Sequence, residues 1–450
     1  MRIVNINLEN TGLELRGLCE KLAEKASGGL VIIVEPREEI LKALTEAAAS
    51  RVSEEEALAK LAGELNSLAK GIPEDLRKSV EAEIVESLNK IIEYLHAEKK
   101  AGGATPRGLP VMLNLLGNTV ARVFSSHLNA IGVDTKWVTA GQAGFMLIED
   151  YEPPWSHHVS LVNPDRLKNV SKEVLVVSGR SCVDHEGGEA FLKKGMGSVV
   201  AILAASELRV DEVYVPKANG GIYTADPWIT DKARTIPSLS YSEALELSRL
   251  GEWVMSPQAV ELAEELGVRI IVSSIQEPFK ECTTIGFEKA VEKQIVKAVA
   301  MIPDMSILTV EGAAMAGMPG VASAILGEVA KRGVSISMIS QDASEIGITL
   351  LVKDRDLDMA LKGLREGFSR QRLIKRIRIQ RGVAVISAVG EGMRGTKGVA
   401  ARIFSAVAEA GVNVLAIAQG SSETSISFVV LMEDAEKAVK AVHEKVILSV

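Results

Sequence analysis

Residues 312–345 recur 78 positions later as residues 390–423, with 15 identities over 34 positions and no gap. The shared residues include Gly312/Gly390, Met315/Met393, Gly317/Gly395, Gly320/Gly398, Gly333/Gly411, Gln341/Gln419 and Glu345/Glu423. A match of this density, with its glycines in step, makes the C-terminal third a tandem repeat of one supersecondary unit. In the second copy Val383–Val389 reads as a buried strand, being short, β-branched and closed by glycines. Gly390, Gly392, Gly395 and Gly398 then form a loop whose backbone N–H groups can face outward. Val399, Ile403, Phe404 and Val407 fall at helical spacing, and Gly411 suits the left-handed residue that ends a helix. Val412–Ala418 and Ile426–Leu431 read as two further strands. The two copies are expected to cover each other's sheet faces or edges.

The segments VGEGMRGTKGVAARIF and NVLAIAQGSSETSISFVV resemble the paired ACT domains of aspartate kinases, βαββαβ modules that bind amino-acid effectors where two of them meet. Backbone N–H groups at a glycine-rich helix N-terminus can hold the carboxylate of such an effector. Gly317, Met318 and Gly320 in one copy, and Gly395 and Gly398 in the other, form loops of this kind. The resemblance places Gln341, Asp342, Asn413, Ile417 and Gln419 where the family reads its ligand. Asp342 departs from the usual small polar residue and Ser335 stands opposite Asn413, so one site is expected to be specialised and the other lost. The family commonly inserts its second module within the first, which makes 445–450 the expected strand returning to the first module.

At 450 residues the chain is too long for one ordinary domain. A formal charge of −8 argues against a nucleic-acid partner, which requires a basic footprint. No apolar run approaches the roughly 20 residues that cross a bilayer, and MRIVNINLENTG lacks the apolar core of a signal peptide. Cys19, Cys182 and Cys282 are widely spaced and indicate neither a disulfide framework nor a zinc site. A soluble cytoplasmic protein, with no membrane partner, is expected.

Ahead of the repeat, apolar strands at Arg2–Leu8, Leu30–Val34, Thr135–Thr139, Val174–Ser178 and Glu212–Val215 alternate with helical segments. This predicts an α/β fold with a largely parallel sheet covered by helices. The expected layout is an amino-acid-kinase-like domain over 1–303, then two ferredoxin-like ACT modules over 304–380 and 381–450. Within the first domain Gly221–Pro227 (GIYTADP), Ser240–Ser256 and Val174–Gly188 resemble aspartate kinase segments. The resemblance makes Tyr223, Thr224, Asp226 and Pro227 candidates for nucleotide binding; the competing reading is that they hold a turn.

Phosphoryl transfer from ATP to a carboxylate needs cations against the phosphates, a metal-compatible acid and backbone amides. The family's first strand runs into Lys-Phe-Gly-Gly-Thr-Ser, whereas this chain has Asn5-Ile6-Asn7-Leu8-Glu9-Asn10. The family's Gly-Glu pair becomes Gly117-Asn118, and its Gly-Arg-Gly-Gly-Ser-Asp loop becomes Lys193-Lys194-Gly195-Met196-Gly197-Ser198. Its nucleotide loop becomes Lys217-Ala218-Asn219-Gly220-Gly221, and two basic positions are taken by Trp228 and Trp253. Lys193, Lys194 and Lys217 remain as catalytic candidates, against the plainer reading of a solvated basic surface. His157-His158 and Asp184-His185-Glu186 lack the spacing of a metal site. Ser178-Gly179-Arg180-Ser181 lacks the flanking glycines of a nucleophile elbow.

The expected function is that of a catalytically degenerate aspartate kinase homologue in the aspartate-derived amino-acid pathway. It would sense an amino acid of the lysine or threonine class, assemble with itself through its ACT modules and regulate an active kinase partner. One alternative is a working kinase, using ATP and Mg²⁺ to convert L-aspartate to 4-phospho-L-aspartate or acting on another carboxylate. A second is a scaffold whose ACT pair only builds an oligomer.

Overall fold

The computed structural model describes the chain except for residues 10–14, 102–104, 106, 150–156, 171–173, 251–254, 288–293, 342, 369–372, 421 and 450. It divides into two compact units: Met1–Ile222 with Pro237–Tyr241 and Trp253–Glu288, and Tyr223–Ile236 with Ser242–Glu252 and Lys289–Val450.

The first unit opens with β1 (Arg2–Asn7), α1 (Leu15–Ala23) and β2 (Leu30–Glu35). A helical block follows, α2 (Glu38–Ala48), α3 (Glu54–Leu68), α4 (Glu74–Lys100) and α5 (Gly108–Ala130). The chain then forms β3 (Thr135–Thr139), β4 (Phe145–Glu149), β5 (His157–Leu161), α6 (Pro164–Val170), β6 (Val174–Ser178), β7 (Ser181–Val183) and β8 (Glu189–Phe191). After α7 (Met196–Glu207) and β9 (Glu212–Lys217) come β10 (Ser238–Leu239) and, beyond α8 (Tyr241–Arg249), which belongs from Ser242 onward to the second unit, α9 (Pro257–Leu266), β11 (Arg269–Ser274) and β12 (Glu281–Ile285).

An eight-stranded sheet runs in the order β10-β12-β11-β9-β1-β2-β6-β3 and is parallel except between β11 and β12. Every residue of β2 and β6 is buried, which is why both read as unbroken apolar runs rather than alternating ones. The helical block packs Leu61 and Leu65 of α3, Ile84 and Ile91 of α4, and Leu116, Val120 and Phe124 of α5 into one core with β1 and β2. Ser53 caps α3, its hydroxyl accepting from the Glu56 N–H at 3.1 Å. A smaller sheet, β5-β4-β7-β8, completes the unit.

The second unit is built on the repeat: β13 (Ala298–Glu311), α10 (Val321–Ala330), β14 (Met338–Gln341), β15 (Gly347–Lys353), α11 (Leu357–Gly367), β16 (Arg376–Val389), α12 (Val399–Glu409), β17 (Ala416–Gln419), β18 (Ser425–Leu431) and α13 (Met432–Val442). Its six strands form one sheet, β14-β15-β13-β16-β18-β17. The central strands β13 and β16 are each 14 residues long and serve both copies. Pairing between them slips register from Ile302 to Met305, at the seam between copies. The break expected near Pro303 therefore falls inside a strand.

Each copy thereby becomes a complete βαββαβ module. The first takes 305–311 of β13 and 376–380 of β16; the second takes 383–389 of β16 and 298–302 of β13. The first module is thus inserted within the second, the reverse of the sequence expectation. Residues 445–447, expected as a returning strand, instead belong to a π-helical turn after α13, and Val446 and Ile447 pack into the second module's core. The strand expected at 412–418 begins only at Ala416. Both sheet faces are covered. Leu308, Leu350 and Val352 face the first pair of helices, and Ala384, Ile386, Phe428 and Val430 the second. Met305, Ile307, Leu351, Val383, Val385 and Val429 form a further core that joins the modules.

Candidate functional site

In open α/β sheets, ligands bind beyond the carboxyl ends of the strands. Here β1, β2 and β6 end side by side, and this edge gathers Asn5, two residues before the end of β1, Glu35, Ser178 and, just beyond, Arg180. All four are buried, at 1, 2, 1 and 6% exposure. Glu35 accepts hydrogen bonds from the Asn5 side-chain amide and from the Gly197 N–H in the first turn of α7. Burial pushes its carboxyl above the ordinary range, while the Arg180 guanidinium opposes that rise. Arg180 donates from Nε to the Leu192 carbonyl at 2.7 Å, pairs with Glu38 and lies 4.7 Å from the centroid of the Phe191 ring. This guanidinium has its partners already.

Beside this network Ser178 and Ser181 share a hydrogen bond of 2.8 Å. A Cβ on Gly117 would come within 3.0 Å of the Ser181 hydroxyl, so helix α5 approaches the strand ends closely. Asn5, Asn114 and Asn118 each bury an amide oxygen with no hydrogen-bond partner among the described residues. Lys193 and Lys194 stand exposed before α7, and Lys217 is half-buried at the end of β9. Two residues before the end of β1 the chain offers the amide of Asn5. Among the described residues no group of three or more His, Cys, Asp or Glu could hold a metal ion. At these strand ends the cation is Arg180, and it is already paired with Glu38.

In the second unit the two glycine-rich loops share their conformation. Gly317 and Gly395 have φ of 69° and 66°, and Gly320 and Gly398, which begin α10 and α12, have 87° and 85°. Only glycine adopts these values without strain. Each loop also carries its own anion: the Gly317 N–H donates to Glu345 and the Gly395 N–H to Glu423, both at 2.8 Å. In the first module a pocket of about 320 Å³ opens at the head of α10, lined by Gly317, Met318, Gly320, Gln341, Glu345 and Ile348 among others.

The profile of the amino acid kinase family matches residues 33–274, and that of the ACT domain matches residues 308–368 and 386–446. The chain belongs to the aspartate kinase family. It is 33% identical over 285 residues to the bifunctional aspartokinase/homoserine dehydrogenase of Haemophilus influenzae, covering 61% of this chain and 34% of that one. It thus spans about a third of the bifunctional relatives it matches. With the aspartate kinase of Stutzerimonas stutzeri it is 28% identical over 361 residues, covering 79% of this chain and 85% of that one. Its fold is that of E. coli aspartokinase III solved with aspartate and ADP, at a TM-score of 0.77, 18% identity and 99% coverage of both chains.

Placed on this aspartate kinase framework, the predicted residues separate. Lys193, Lys194 and Lys217 lie in the first unit, whereas Tyr223, Thr224, Asp226 and Pro227 belong to the second. Thr224 is buried, 2.8 Å from Nε2 of His443, and Asp226 accepts the Trp228 N–H at 2.9 Å to tighten the turn. Gly317, Met318, Gly320 and Gln341 meet at the ACT pocket. Gly395, Gly398, Ile417 and Gln419 occupy the matching positions of the second module, while Asn413 is exposed ahead of β17. Asp342 and Trp253 lie outside the described residues.

Sequence reasoning passed over Glu35, Arg180, Glu345 and Glu423. The last two were visible as one of the repeat's identities. Arg180 sits between Ser178 and Ser181 with no motif of its own, and Glu35 ends an apolar run with no pattern to mark it. Among the described residues no helix is long and apolar enough to cross a membrane.

Proposed function

We propose that this aspartate kinase homologue is an amino-acid sensor of the aspartate-derived pathway, with little or no phosphoryl transfer of its own, and that it regulates a catalytically competent kinase. One contrast carries the reading. The first ACT module keeps an open pocket at a glycine-rich helix N-terminus, while the end of β1 presents Asn5 where phosphate chemistry needs a cation. Losing one electrostatic group of this kind costs roughly 10²–10³ in rate, and here several are replaced together. An amino acid of the lysine or threonine class suits the pocket: its carboxylate would meet the N–H groups of the α10 first turn and its ammonium the acceptors Gln341 and Glu345. E. coli aspartokinase III, which shares the fold, has been solved with lysine and aspartate.

The comparisons by themselves favour a second reading, an active aspartate kinase making 4-phospho-L-aspartate, because relatives bearing that name align with four-fifths of the chain. Lys193, Lys194 and Lys217 would then supply the cations. Two assays on the purified protein separate the readings. Hydroxylamine trapping of acyl phosphate from ATP, Mg²⁺ and L-aspartate should give no signal above a variant with all three lysines changed to alanine. Calorimetry with lysine and threonine should show binding, and a ligand at a hundredfold excess over Kd should stabilise the protein by about 2.7 kcal/mol. Turnover above the triple variant supports catalysis. Absence of binding by any amino acid rejects the sensor.

A further inference from the structure

We infer that Glu35 is a resident occupant: its carboxyl group fills the seat at the head of α7 that a phosphoryl group would require, and so bars nucleotide phosphate from the first unit. The inference rests on the reading of this chain as a sensor without phosphoryl transfer and supplies a physical cause for it.

The seat has the construction of an anion site. A helix N-terminus offers unpaired N–H groups and the positive end of its dipole, and α7 is 12 residues long. The Gly197 N–H, an amide donor from Asn5 and the charge of Arg180 all act on one point, the Glu35 carboxylate. Such a set of backbone N–H, side-chain amide and guanidinium is what a phosphate attracts. Here the occupant comes from the chain itself.

The packing is cut to this occupant. A Cβ on Gly197 would come within 2.5 Å of Cγ and Cδ of Glu35, so the carboxylate lies directly over the helix backbone. On its other side Gly179 keeps the strand end close to Gly197: a Cβ there would stand 3.4 Å from the Gly197 Cα and 2.5 Å from Ile33. At 2% exposure Glu35 leaves no opening to solvent at this point. A phosphoryl oxygen would need the volume that the Glu35 carboxyl fills. Arg180 cannot be lent to it without unpairing Glu38 and the Leu192 carbonyl.

The test uses the full chain and the variants Glu35→Ser and Glu35→Ala, with inorganic phosphate and ADP as probes and sulfate as the control anion. Calorimetry and melting curves should show no saturable binding to the wild type, and a gain on the order of tenfold or more in association constant for a variant that melts cooperatively. A cooperatively melting variant that gains no phosphate or ADP binding overturns the proposal, and a wild type inert in the acyl-phosphate assay would still stand as a sensor. Wild-type protein that binds ADP as tightly as the variants also overturns it, and ATP turnover by that wild type would overturn the sensor reading as well. Should both variants lose their cooperative melt, the wild type decides: a melting temperature that climbs saturably with phosphate or ADP rejects the seat's occupancy, and one that ignores both supports it.

Discussion

Glu243 and Lys297 form an ion pair of 3.0 Å with both side chains shut off from solvent, at 0 and 3% exposure. The second oxygen of Glu243 accepts the Glu391 N–H at 2.7 Å, at the start of the second glycine-rich loop. Helix α8 is thereby tied to an ACT loop through one buried carboxylate. Removing one partner of such a pair leaves the other charged and buried, which costs about 3–5 kcal/mol. Glu243→Met and Lys297→Met should each lower stability by that amount in urea unfolding. The double variant should recover most of the loss, and a double variant no better than either single one would show that the pair is not the coupled element.

His443 is fully buried, with Nε2 facing Thr224 and Nδ1 lacking a partner among the described residues. Burial lowers its pKa below the ordinary histidine value; Glu444 opposes the shift, and Arg234 and Lys232 add to it. In the first unit burial also lowers the pKa of His127, against a hydrogen bond to the Leu68 carbonyl. Both therefore take up protons more readily in the unfolded chain. Their contribution is complete above pH ~6.5 and declines as the pH falls toward the folded values, by up to about 1.4 kcal/mol per pH unit for each histidine. Melts between pH 8 and pH 5 should show this decline, and His443→Gln should flatten it.

Gly197→Ala should destabilise the first unit by about 1–3 kcal/mol, because the added methyl overlaps Glu35. Shortening the opposing side chain gives the methyl room. The double variant with Glu35→Ser should therefore unfold at a denaturant concentration closer to that of Glu35→Ser alone, and a simple sum of the two losses would exclude the contact.

Gln341 is exposed and lines the first ACT pocket. Gln341→Ala should weaken amino-acid binding roughly tenfold by calorimetry while shifting stability by no more than about 0.5 kcal/mol. Equal affinity in variant and wild type would place the effector elsewhere.

The three thiols should differ in reactivity. Burial pushes the thiol of Cys19 far up and that of Cys182 to about 11, whereas Cys282 is partly exposed. A thiol reagent at pH 8 should label one cysteine quickly in the native protein and all three after denaturation.

Much of the architecture was legible because it rests on short-range chemistry. The helical segments expected between the apolar strands formed, α2, α3 and α4 among them, since apolar residues three and four apart build a buried stripe wherever that stripe packs. The strands at 135–139 and 174–178 fell on their predicted residues. The candidate site was less legible. Asn5 was visible as a missing lysine, but nothing near Glu35 in the chain reports that α7, more than 150 residues on, would place Gly197 against it.

By itself the sequence determined the repeated module. Gly317, Gly320 and Gly333, with their counterparts Gly395, Gly398 and Gly411, take the positive φ that only glycine accepts freely, and this preference is a property of the residue. Tertiary structure alone decided that residues 298–302 complete the second module and that 445–447 do not. It also decided that Glu35, the chain's own carboxyl, lies over Gly197 at the head of α7. The reason is the range of the forces. Backbone and side-chain preferences act within a few residues, while a strand edge or a buried charge accepts any complementary partner, and packing of the whole unit selects which one arrives.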